Sequence, residues 1–213
     1  MVSPVMSDAS LRAAYSVWAL GYDILLGSAA SRARRRSIAL LAPRAGERVL
    51  LVGIGTGLDL PLLPRHSAYT ALDLTPAMLQ RAGRRAARLG LPVALAEASA
   101  SLLPFEDEGF DVVILHLILA VVPDPAAALR EVARVLRPGG RAVVWDKMLR
   151  EGRRPSLGRR VAHALTHRYL TGFLFDLGAT LETVPALRVT YREPSIVGGM
   201  WQIVLLEKDR RVA

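Results

Sequence analysis

The sequence predicts an α/β fold, a mostly parallel sheet with helices on both faces. Three observations carry this. Short apolar runs alternate with helical patterns from about residue 48 to residue 145, the arrangement that builds consecutive βαβ units. The first run, Val49-Leu50-Leu51-Val52, leads into glycines at every second position, Gly53, Gly55 and Gly57, where a side chain would obstruct the turn. The second run, Tyr69 to Asp73, ends on an acid. A glycine turn between a buried strand and a helix aims backbone N–H groups at whatever binds there. The expected pocket therefore sits at the carboxyl end of the first strand.

Composition bounds the reading. At 213 residues the default is one main domain with a small extension, divided here into an N-terminal helical extension over 1–42 and a main domain over 43–213. The apolar fraction is 52%, ample for a large core. The richest apolar run, Val112 to Val122, contains His116 and falls short of the ~18–20 residues that span a bilayer. The start, MVSPVMSDAS, has no basic stretch followed by an apolar one, so no secretory signal is expected. Cysteine is absent, which excludes disulfides, zinc–thiolate sites and cysteine nucleophiles and fits a cytoplasmic setting. No metal site is expected. The net charge is +9, and of 28 basic residues only Lys147 and Lys208 are lysines. Such a balance either attracts a polyanion or reflects an arginine-biased composition.

Each element has a local justification. Ser10 to Leu26 has Leu11, Tyr15, Trp18 and Tyr22 on related helical turns, read as core packing or as a lid over a ligand. Gly27-Ser28 breaks that pattern, and a second helix is expected over Ser31–Leu41 with Arg32, Arg34, Arg35 and Arg36 at its start. Cations there oppose the helix dipole, so they are solvated or used. Leu58-Asp59-Leu60-Pro61 begins a short helix. Thr75 caps and Pro76 opens a helix to about Leu89, whose Arg81, Arg84, Arg85 and Arg88 read as a solvated face. Val93–Glu97 and Phe110–His116 are the third and fourth strands, Pro125 to Leu136 is a helix ended by Arg137-Pro138-Gly139-Gly140, and Arg141–Trp145 is the fifth strand. Arg150 to Leu170 reads as a cationic amphipathic or merely solvated helix. Leu187–Tyr191 and Trp201–Leu206 are strands of an antiparallel edge, with Gly198-Gly199 at the turn.

The pieces VLLVGIGTGLDLPLLP, YTALDLTPAML, LLPFEDEGFDVV, VVPDPAAALREVARVLRPGG and GGMWQIVLLEK resemble class I S-adenosylmethionine-dependent methyltransferases. The resemblance is greatest to the group of ubiquinone/menaquinone-biosynthesis and bacterial phosphatidylethanolamine N-methyltransferases. It also separates the chain from a nicotinamide enzyme, because the third glycine of GxGxxG would fall on Leu58. The resemblance implies a Rossmann-like, mostly parallel seven-stranded sheet with an antiparallel last strand, plus an N-terminal lid. It implies that Gly53, Ile54, Gly55, Thr56 and Gly57 approach the cofactor and that Asp73 holds the ribose hydroxyls. Leu74, Met78 and Ala98-Ser99-Ala100 would line the adenine slot. Leu115 and His116 would face the methyl group, with His116 the best-placed base. Tyr15 and Tyr22 match lid positions, catalytic in similar enzymes, and Tyr22 would touch the cofactor. Three positions depart from the pattern: Leu51 replaces an acid, Ser99 an Asp or Asn, and Val121 a histidine.

The expected activity is methyl transfer from S-adenosylmethionine, giving S-adenosylhomocysteine, to the amine of a phosphatidylethanolamine-type lipid. The protein would be cytoplasmic and peripheral on the inner face of a membrane, held through Arg32, Arg35, Arg36, Arg153, Arg154, Arg159 and Arg160, since arginine forks suit phosphate head groups. A soluble or quinone-type acceptor is the alternative, and a non-catalytic cofactor-binding regulatory domain a third reading. Nucleic acid is not expected as a partner, because LHLIL is no loop for gripping a flipped base. The acceptor atom, the number of transfers and the oligomeric state are left open by the sequence.

Overall fold

The computed structural model describes residues 27–149 and 175–210. The expected helix over 10–26, with Tyr15 and Tyr22, and the cationic stretch from Arg150 to Leu170 lie outside the described residues.

Seven strands form one sheet in the order β3-β2-β1-β4-β5-β7-β6. They are β1 (Arg48–Val52), β2 (Ala68–Asp73), β3 (Val93–Glu97), β4 (Phe110–His116), β5 (Leu136–Lys147), β6 (Leu187–Pro194) and β7 (Trp201–Lys208). The helices are α1 (Gly27–Leu41), α2 (Pro76–Leu89), α3 (Pro125–Val135) and α4 (Leu177–Glu182). β1 pairs parallel to both β2 and β4, so the strand order reverses there. That is where an open α/β sheet leaves a crevice beyond its carboxyl ends. β7 runs antiparallel between β5 and β6, the expected class I pattern.

The central strands are covered on both sides, which is why RVLLV and FDVVILH read as nearly continuous apolar runs. On one side α1 and α2 pack Ile38, Leu41, Ala82 and Ala86 against Leu51, Ile114 and Val143. On the other, α3 and α4 pack Leu129, Val132 and Leu177 against Leu50, Val113, Leu115 and Val144. Helix α1 thus shares a core with β1.

Several boundaries differ from the sequence reading. α1 already includes Gly27 and Ser28. The segment after the glycines forms only a three-residue 3-10 turn, Leu60–Leu62. α3 stops at Val135, and Arg137-Pro138-Gly139-Gly140 belongs to β5 instead of a helix end. Leu136 pairs with Phe110, and the register shifts before Arg141 pairs with Val112.

Candidate active site

The glycine turn leaves β1 at the switch point. Gly53, Gly55 and Gly57 have φ of +72°, +55° and +78°, values L side chains rarely adopt. Each glycine meets a different environment. A Cβ on Gly53 would come within 2.8 Å of Ile118 Cδ1, and one on Gly57 within 2.9 Å of Leu60 Cδ1 and 3.2 Å of Ala82 Cα. A Cβ on Gly55 would meet nothing within 4 Å. Gly53 and Gly57 are therefore packing glycines, while Gly55 borders open space. Between them Ile54 is buried and Thr56 half-buried.

Asp73, at the end of β2, joins the turn to α2. Its Oδ2 accepts from Gly55 N–H at 2.8 Å, and its Oδ1 accepts from Thr75 N–H at 2.9 Å. Thr75 makes no side-chain cap bond. Burial pushes the Asp73 carboxyl above its ordinary range, and the Gly55 and Thr75 N–H groups oppose that only in part. The Thr75 side chain and the Leu74 N–H act on the carboxylate in the same direction. Beside it, Ala98 N–H donates to the Asp73 carbonyl at 3.2 Å. Ser99 Oγ accepts from Ser101 N–H at 3.3 Å. Leu74 is half-buried, whereas Met78 and Ala100 are buried, 2% and 6% exposed. An open glycine, a carboxylate at the strand tip and an apolar wall suit an S-adenosyl group. Leu51, where similar enzymes carry an acid, is buried on the α1 side with Ala71 and Ile114.

Two residues at the tip of β4 are not placed as expected. Leu115 is completely buried in the apolar cluster beneath α3, because strand alternation points it into the face of the sheet that α3 and α4 cover. His116 faces the opposite side. Its side chain is 1% exposed. Nδ1 lies 2.9 Å from Asp59 Oδ1, Nε2 lies 2.8 Å from Ser37 Oγ, and the ring stands edge-on to Trp145. Both nitrogens are engaged, so the structure does not present His116 as a free base. Asp59 also takes Arg34 Nη1 at 2.9 Å, and the Arg34 guanidinium lies 5.1 Å from the centroid of the Trp145 ring. Burial alone would raise the Asp59 carboxyl, but the charges of His116 and Arg34 outweigh it and hold the group well below the usual carboxylate range. The sequence reading missed Ser37, Asp59 and this use of Arg34. One available signal was that Arg34 shares a helical face with Ser37, Ile38 and Leu41.

A second buried acid stands at the end of β5. Asp146 is 1% exposed. Its oxygens accept from Ala120 N–H at 3.0 Å and Lys147 N–H at 2.7 Å, which ties the turn after β4 to the sheet. Burial pushes its carboxyl up to about 6 against those bonds and the Lys147 charge. A raised folded value means the stabilising contribution is full below the unfolded value near pH 4 and is lost as pH rises through about 6. Two units correspond to roughly 3 kcal/mol. Asp146→Asn should therefore gain on the wild type by roughly that amount between about pH 4 and pH 7. Urea unfolding at the two pH values checks this, and parallel profiles for the two proteins would refute it.

Comparison with known proteins agrees with this fold. The family described as methyltransferase domain matches residues 50–144. A phosphatidylethanolamine N-methyltransferase of Cereibacter sphaeroides is 36% identical over 197 residues, 91% of this chain and 95% of its own. A demethylmenaquinone methyltransferase of Thermus thermophilus is 41% identical over 119 residues, 54% of each chain. Among solved structures, a geranyl diphosphate methyltransferase in complex with S-adenosylmethionine has a TM-score of 0.68 at 20% identity, covering 84% of this chain and 85% of its own. The chain belongs to the class I S-adenosylmethionine-dependent methyltransferases.

Proposed function

We propose that this methyltransferase N-methylates phosphatidylethanolamine-type lipid at a membrane surface. The observation that carries the reading is the extent of the likeness. It spans 91% of the chain for the phosphatidylethanolamine enzyme but 54% for the demethylmenaquinone enzyme. The chemistry of the site points the same way. The sulfonium of S-adenosylmethionine supplies an electrophilic methyl group. A neutral amine needs only desolvation and alignment, whereas a phenol or carbon acid needs a base. The base expected for that work, His116, is bonded at both nitrogens.

The proposed membrane contact is narrower than the arginine list. Arg32 and Arg35 are exposed on α1. Arg36, although exposed, forms a two-pronged pair with Glu193 at 3.0 and 3.1 Å, and Tyr191 Oη donates to the same carboxylate at 2.6 Å. Arg36 therefore braces α1 against β6, leaving Arg32 and Arg35 as the described head-group contacts. Arg153, Arg154, Arg159 and Arg160 lie outside the described residues. No helix among the described residues is long and apolar enough to cross a membrane, so the contact would be peripheral.

The test is sedimentation with anionic and zwitterionic vesicles, followed by transfer of labelled methyl to phosphatidylethanolamine. Salt-sensitive binding to anionic vesicles together with labelled lipid is the expected result. Absence of both overturns the proposal. Methylation of a quinone-type acceptor without vesicle binding would favour the second reading, which rests on the Thermus thermophilus relative.

A further inference from the structure

We propose that the His116–Asp59 pair is a positioning clamp for the cofactor seat rather than part of the proton chemistry. The inference rests on the S-adenosylmethionine assignment and is independent of which acceptor is methylated. Asp59 immediately precedes the 3-10 turn, whose Leu60 fills the space beside Gly57. His116 immediately precedes Leu117, a non-glycine residue at φ +58°. A left-handed leucine costs about 1–2 kcal/mol, so its surroundings must hold it there. Leu117 N–H donates to the Trp145 carbonyl at 2.8 Å, and the next residue, Ile118, lies directly against Gly53.

The wall gripping the first glycine and the wall gripping the third are thus carried by the chain neighbours of His116 and Asp59. One buried contact of 2.9 Å ties the two walls together. Gly55, between them, borders the open space. Helix α1 backs the clamp from behind, through Ser37 on Nε2 and Arg34 on Asp59. A slack clamp lets the glycine turn spread, and a displacement of order 1 Å at such a seat is worth up to about a hundredfold.

The proton arrangement explains why the clamp is robust. Ser37 Oγ is 2.8 Å from both the Arg34 carbonyl and His116 Nε2. Its single proton can go to Nε2 when the ring is neutral there, or to the carbonyl when Nε2 itself donates. Nδ1 donates to Asp59 in either state. The charged groups facing the ring are Asp59 directly and Arg34 behind it.

The experiment is calorimetric binding of S-adenosylhomocysteine to the full chain and its variants. His116→Leu should weaken binding at least about tenfold. His116→Asn, whose amide nitrogen can still donate to Asp59, should stay within about threefold. The control is Glu47→Gln at the far end of the sheet, where Glu47 is paired with Arg141. It should lower the melting temperature but leave the dissociation constant within about twofold. Wild-type affinity in His116→Leu overturns the clamp, as does affinity that falls in step with melting temperature in Glu47→Gln. If His116→Leu does not fold, Asp59→Ala removes the acceptor from the other side of the contact, and wild-type affinity there overturns the proposal equally. Failure to methylate lipid leaves these readings intact. Failure of the wild type to bind S-adenosylhomocysteine removes both the cofactor assignment and the clamp.

Discussion

Gly55→Ala is expected to abolish cofactor binding while the protein stays folded, and Gly57→Ala is expected to lose both binding and stability. The two residues lie in one turn with similar backbone angles, φ +55° and +78°, so the strain of a left-handed alanine, about 1–2 kcal/mol, is common to both. They differ in what the new methyl meets. At Gly57 it lies 2.9 Å from Leu60 Cδ1 and 3.2 Å from Ala82 Cα. The leucine tip can rotate, but the Cα belongs to α2 and cannot move without the helix. Overpacking adds about 1–3 kcal/mol. The total corresponds to a fall in melting temperature of roughly 5–15 °C for a chain of this size. At Gly55 no atom lies within 4 Å, so folding bears only the strain, and the methyl intrudes where backbone must approach the ligand. Thermal melts and S-adenosylhomocysteine titration of both variants check this. If Gly55→Ala bound cofactor normally, the open space beside Gly55 would not be the seat.

That contrast was not legible in the sequence, although the turn itself was. Periodicity and glycine spacing located β1, the turn, Asp73 and the alternation up to β5, because each is encoded within a few residues. The misreadings share a different origin. Arg137-Pro138-Gly139-Gly140 has the chemistry of a helix stop, yet it sits in β5 because Leu136 pairs with Phe110 across a register shift. Leu115 and His116 share a strand tip in the sequence, but the pleat sends them to opposite cores. The partners of His116 stand 57 and 79 positions away, and no local pattern links Asp59 and Ser37 to one imidazole. A lone histidine at a strand end looks like a base until its neighbours are known. The arginines of α1 divide for the same reason. Arg34 is drawn inward by Asp59, Arg36 is bound by Glu193 on β6, and only Arg32 and Arg35 remain of the cluster for an outside partner.

Asp73→Asn is expected to weaken S-adenosylhomocysteine binding by about two orders of magnitude while moving the melting temperature by no more than a few degrees. The substitution is nearly isosteric, so its effect is one of hydrogen-bond polarity. Both carboxylate oxygens face backbone donors, Gly55 N–H on one side and Thr75 N–H on the other. An amide has one acceptor oxygen, so its NH2 must confront one of those two donors. Leaving a donor unpaired costs about 1–3 kcal/mol. Against that cost stands a gain. Burial disfavours the Asp73 charge in the folded chain, and the neutral amide escapes this penalty. The two effects oppose each other in folding, but for the ligand they add. The turn loses its tie at Gly55 or at Thr75, and the charge that strengthens hydrogen bonds to a diol is gone, each at about 1.5 kcal/mol or more. About 3 kcal/mol is a hundredfold in affinity. Titration calorimetry beside a thermal melt separates the outcomes. A large fall in stability with unchanged affinity would make Asp73 a structural brace of the turn and would move the ribose contact elsewhere.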